Sequence, residues 1–148
     1  MYAPHVVTIY NAYESENLDL AYNITVIKGV LMDESRGTNI AKSGLSDADT
    51  VTLFIPFSAK AVDGVAGVER TYLPPKAFYS STSKDEHWTL DTGGQSSGVA
   101  SFFVKGRVVD SGSYSSLRSR YDAVYNVSSV DIRDFGTPDM QHFQVGGK

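Results

Sequence analysis

The sequence predicts an all-β fold: a small antiparallel β-barrel or sandwich, one domain over residues 1–148, with long loops at 33–49 and 80–98 and at most one or two short helices. Three observations predict it. Runs of β-branched and aromatic residues recur along the chain, the clearest of them alternate apolar and polar residues with a period of two, and Gly, Pro, Asn, Asp and Ser cluster between them. At 148 residues and 16.1 kDa the chain is long enough to hide roughly 70% of its unfolded surface, so a core forms without disulfides or metals.

The first two runs are HVVTIYNAY (5–13) and LAYNITVIKGVLM (20–32). In the second, Tyr22, Ile24, Val26 and Val30 share one parity, and Gly29 marks a bend or bulge. In TVTLFIPF (50–57), Val51, Leu53, Ile55 and Phe57 alternate with Thr50, Thr52, Phe54 and Pro56. Pro56 has no N–H to give, which places that end of the strand at an edge or bulge. ASFFVKGRVV (100–109), AVYNVSSVDI (123–132) and HFQVGG (142–147) follow. The expected core includes Val51, Leu53, Ile55, Tyr125 and Val127. Helix signals are few. Tyr114, Leu117 and Tyr121 stand at helical spacing behind Ser113 as N-cap, with an extended loop as the competing reading. One turn is expected after Pro75, because proline suits a first helical position. HWTL, at 87–90, reads as a short strand inside the second long loop.

Composition limits the function. The formal net charge is −4 and basic residues are scattered among acidic ones, so no stripe of cations would neutralise a run of phosphates. There is no cysteine, which removes thiolate chemistry and favours a reducing interior or an assembly built inside a cell. The opening Met1-Tyr2-Ala3-Pro4-His5 lacks signal-peptide character, and no window approaches the ~18 apolar residues of a membrane span. Asn23-Ile24-Thr25 and Asn126-Val127-Ser128 match the glycosylation pattern but fall inside expected strands, where chance explains them better.

Catalytic motifs fail on their missing partners. Asp134-Phe135-Gly136 has no glycine-rich phosphate loop, strand lysine or catalytic loop to go with it, and Gly136-Thr137-Pro138-Asp139 is turn chemistry. His5, His87 and His142 lack metal-site spacing, and no Gly-x-Ser-x-Gly elbow surrounds any serine. The expectation is a non-enzymatic protein with no cofactor and no metal. Among the aromatics, Phe54, Phe57, Phe102, Phe103 and Tyr125 lie in strand patterns and read as core or sheet-face residues. Trp88, Tyr79 and Tyr114 lie in or near loops and are the contact candidates, because interfaces enrich such side chains.

The blocks MYAPHVVTIYNAY, GVERTYLPPKAFY, HWTLDTG, FFVKGRVV and DFGTPDMQHFQVGGK cover most of the chain. They resemble a type of small structural protein of tailed phages and prophages of Gram-positive hosts. The order of a strand, a long loop, then the step Phe102-Phe103-Val104-Lys105-Gly106-Arg107-Val108 and the strand Tyr125-Asn126-Val127 is similar to the head-closure (stopper) proteins of the head-tail connector. The loop at 80–98 departs from the simplest members. The resemblance implies a β-barrel that assembles as a homo-oligomeric ring in the virion, built in the bacterial cytoplasm. Its partners would be portal or adaptor and tail proteins, with DNA passing through its channel without specific binding and no membrane involved. An acidic channel wall would let DNA slide.

On that reading the loop at 33–49, with Arg36, Ile40, Lys42 and Leu45, is the first candidate for channel closure or adaptor contact, and the loop at 80–98 the second. Phe143 and Val145 would form a last strand against the barrel or a neighbouring subunit, its glycines allowing close approach. A tail-terminator or other tail-completion protein is the alternative within virions. A carbohydrate-binding β-sandwich using Trp88 and nearby tyrosines is the alternative of another class.

Overall fold

The computed structural model describes residues 3–14, 20–35, 38–41, 44–47, 50–93 and 100–148. Among them the strands are β1 (His5–Glu14), β2 (Leu20–Ser35), β3 (Thr38–Ala41), β4 (Gly44–Asp47), β5 (Thr50–Pro56) and β6 (Ala61–Asp63). They continue with β7 (Glu69–Tyr72), β8 (His87–Trp88), β9 (Phe102–Lys105), β10 (Val124–Arg133) and β11 (His142–Gly147). The helices are α1 (Pro75–Ser80) and α2 (Tyr114–Arg118). Strands β1, β9, β10, β11, β5 and β2 pair in that order, all antiparallel, and the β1–β2 pairing closes them into a six-stranded barrel.

Closure depends on the long β2, which changes partners along its length. Its first part lies between β1 and β6, and from Leu31 onward it pairs with β5. The change falls at Gly29, which has φ of 77° and no partner, since Val6 pairs with Lys28 and His5 with Val30. This is a bulge with glycine in the left-handed region, the device that turns a strand around a barrel corner. The extra residue also switches the faces. Ile27, Val30 and Met32 enter the barrel, whereas Tyr22 and Ile24 pack on its outer cluster. The single parity expected for Tyr22, Ile24, Val26 and Val30 therefore breaks at Gly29.

Inside the barrel, Val7, Ile9, Leu53, Ile55, Phe103, Tyr125, Val127 and Val145 form the main core, and all five residues expected to be buried are so. A second cluster lies outside the wall of β1, β9 and β10, where Tyr10, Phe102, Val104 and Val124 are covered by Leu117 of α2. Tyr10 stacks on Phe102 with ring centroids 4.6 Å apart, and its hydroxyl donates to the Asp110 carbonyl at 2.6 Å. Burial on both faces explains the unbroken Phe102-Phe103-Val104 run. Ser113 caps α2, its side chain accepting from the Ser116 N–H.

The last strand is an interior one. β11 runs between β10 and β5, and Lys148 exchanges two backbone hydrogen bonds with Asn126. Gly147 is sterically required: a Cβ there would meet Val51 at 2.7 Å and Phe103 at 2.8 Å. Pro56 is the final residue of β5 and lies beyond its last pair with β2, at Phe54, so its missing N–H breaks no bond to β2. Asn23 is buried and donates to the carbonyls of Lys84 and His87, an internal role for one of the glycosylation matches.

Candidate functional site

The expected excursion at 33–49 is not one irregular loop. β2 runs on to Ser35, and β3 and β4 pair with each other as a separate two-stranded ribbon, with Ile40 opposite Leu45. Apolar residues separated by Gly, Ser and Asp hide such a ribbon from a periodicity count. Arg36 and Lys42 lie outside the described residues. The ribbon interrupts the chain between Ser35 and Thr50, which are register partners, and so leaves from the end of the barrel where β2 finishes and β5 starts. At that end Glu34 accepts from Lys105 and from the Tyr125 hydroxyl, each at 2.7 Å, tying β2 to β9 and β10.

The opposite end carries an aromatic cleft. Segment 87–91 crosses it, fastened by Asn11, whose side chain donates to the Thr89 carbonyl at 2.7 Å and accepts from the Thr89 N–H at 3.1 Å. This crossing seats Trp88 and Leu90 in the barrel core. Trp88, 4% exposed, thus belongs to the core, and it also lines a cleft of about 310 Å³ with Phe57, Tyr72 and Phe143. Tyr72 lies 4.5 Å from Phe143 and 5.1 Å from Trp88, and Phe57 4.8 Å from Phe143, ring centre to ring centre. Burial raises the Tyr72 phenol above its ordinary pKa.

Arg70 forms part of the wall, but its donors are engaged. It bonds Asp63 Oδ2 at 2.6 Å, the Ile24 carbonyl at 2.6 Å, Thr25 Oγ1 at 2.9 Å and the Asp85 carbonyl at 2.9 Å. Burial draws its guanidinium below the ordinary value, with Asp63 opposing that shift. For Asp63, burial works against ionisation, yet the N–H groups of Ala66 and Val65 and the charge of Arg70 leave its carboxyl below the usual range. The cleft therefore offers aromatic faces, and the chemistry it supports is the burial of an apolar or planar group.

The remaining candidates have structural partners. Tyr79 donates to Asp91 Oδ2 at 2.9 Å under α1, and Tyr114 packs edge-on against Phe102 and bonds Arg118. The histidines do not converge: His5 accepts from the Met32 N–H, His87 sits 2.9 Å from the Ser83 carbonyl and His142 2.8 Å from the Met140 carbonyl. Among the described residues no cluster of His, Asp and Glu could hold a metal, and no helix is long and apolar enough to cross a membrane. Asp134-Phe135-Gly136 lies in the β10–β11 connection, with Gly136 at φ 85°. That connection leaves the cleft end of the barrel, because Gln141 bonds the Phe57 N–H there. It holds Phe135 and Met140 in water, 67% and 61% exposed.

Sequence reasoning missed the cleft because Phe57, Tyr72, Trp88 and Phe143 come from four separate segments. The model of the family of unknown function DUF6751 matches residues 3–148. No curated protein matches the chain, and no solved structure does.

Proposed function

The chain belongs to DUF6751, a family of unknown function, and we propose that it is a non-enzymatic virion protein, a ring subunit of a phage head-tail connector that closes the head and receives the tail. The observation that carries the reading is the placement of projecting parts on opposite ends of one closed barrel. The β3–β4 ribbon leaves from one end, and the aromatic cleft and the β10–β11 connection with its exposed Phe135 and Met140 occupy the other. A subunit stacked between two different partners needs two such faces, with a rigid body between them. Closed pairing supplies that body, because it leaves no sheet edge in the barrel wall to slip or aggregate.

A tail-completion protein one step further along the particle would use the same two faces. The carbohydrate-binding reading draws on a separate observation, the cluster of aromatic rings at the cleft. Mixing experiments separate these readings. A connector subunit shifts in size when portal-adaptor assemblies or tails are added and ignores oligosaccharides. Saturable oligosaccharide binding by the monomer, with no response to either particle component, contradicts the connector proposal.

A further inference from the structure

We propose that Glu34 is a latch: its bonds to Lys105 and Tyr125 fix the direction in which the β3–β4 ribbon leaves the barrel, and breaking them lets the end of β2 and the ribbon it carries change direction while the barrel stays folded. The reason lies in how β2 is flanked. Up to Val30 it has β1 on one side, but the ladder stops at the His5–Val30 pair, and Pro4, next along, has no N–H with which to continue it. From Leu31 to Ser35 the described ladder partners of β2 come from β5, Phe54 back to Thr50. This last part follows the Gly29 bulge and has a ladder on one side, so side chains decide how it sits against the other wall.

Two side-chain ties cross to that wall. His5 Nδ1 accepts the Met32 N–H at 3.0 Å, just past the end of the ladder. Glu34 takes Lys105 Nζ on Oε1 and the Tyr125 hydroxyl on Oε2, each at 2.7 Å, and so reaches β9 and β10, with which β2 shares no ladder. Bonds to an ionised carboxylate are among the stronger hydrogen bonds, and the Glu34 side chain is only 16% exposed. The next residue, Ser35, pairs with Thr50, and past that pair the ribbon is a sheet of its own, with strands of four residues bonded to each other. No barrel ladder among the described residues reaches it, so its direction is inherited from its root. The latch stands at that root.

The absence of cysteine makes the test clean, since introduced thiols are the only ones to carry a label. The full chain receives paired nitroxide labels at Ser46→Cys in the ribbon and Lys28→Cys on the barrel, and a control pair within the barrel at Lys28→Cys and Ser128→Cys. Pulsed electron resonance then reads the distance in each pair. The intact latch should give one narrow ribbon distance. Lys105→Met and Tyr125→Phe should each broaden it and Glu34→Ala most of all, with the control distance unmoved. Adding Lys105→Met to Glu34→Ala should change nothing further, because the catch is already gone. Lys105→Met and Tyr125→Phe leave the barrel core in place, so they answer the question even where Glu34→Ala does not fold. A ribbon distance already broad with the latch intact, or one that stays narrow in Lys105→Met and Tyr125→Phe, overturns the proposal. Broadening of both distances together overturns it too, since the barrel itself would then have loosened. The measurement needs no particle component, so its failure leaves the connector reading standing, and failure of that reading leaves the latch standing.

Discussion

Gly147 and Asp63 show how single positions hold this barrel together. Gly147 is set by space: a methyl group there would overlap Val51 and Phe103 and crowd Tyr125 at 3.0 Å, all of them core side chains. Gly147→Ala should therefore cost about 1 to 3 kcal/mol, as overpacking does, measured as a lower urea midpoint with an unchanged slope. Asp63 is set by charge. Its folded pKa lies below its unfolded value of about 3.9, so its contribution is complete above that value and is lost as pH falls through the lowered one. Stability measured by chemical denaturation should thus decline more steeply below about pH 4 in the native protein than in Asp63→Asn. Equal slopes would mean that Asp63 is no better stabilised as an anion in the folded chain than in the unfolded one.

The strands and helices differ in how plainly the sequence announces them, and the physical reasons differ too. β5 and β11 alternate cleanly because one face of each points into the barrel, and α2 is visible through Ser113 and the spacing of Tyr114, Leu117 and Tyr121. Ser113→Ala should cost about 1 kcal/mol through the lost cap. β2 misleads because a bulge resets its parity. Gly29→Ala puts a Cβ into the left-handed region with nothing within 4 Å to clash, so strain alone should lower stability by about 1 to 2 kcal/mol. β6 and β7, which branch from the barrel at β2, are too short to register as strands, with Gly64 and Gly67 in the connection between them. The β3–β4 ribbon stands as its own two-stranded sheet, and such ribbons are marginal alone. Replacing it with a tight turn should leave the barrel's denaturation midpoint nearly unchanged, since trimming a surface connection changes closure entropy slowly, and on the connector reading it should impair joining of heads to tails.

The molecule as a whole is a closed barrel with two dissimilar ends, and this was only half legible. Alternation and turn chemistry foretold strands, and closure follows from pairings between residues far apart, such as β1 with β9 and β5 with β11. The cleft was invisible for the same reason, being assembled from Phe57, Tyr72, Trp88 and Phe143 only after the strands find their register. No residue type in it announces a ligand. On the proposed reading the two ends belong to a part held between two others, and an intact particle tests that. On the connector reading the gene belongs to a phage, and electron micrographs of lysates from that phage with this gene deleted, and restored in trans, give the answer. The connector reading predicts separate heads and finished tails without the gene, and joined, infectious particles when it is restored. Joined particles of normal infectivity in the deletion would contradict it.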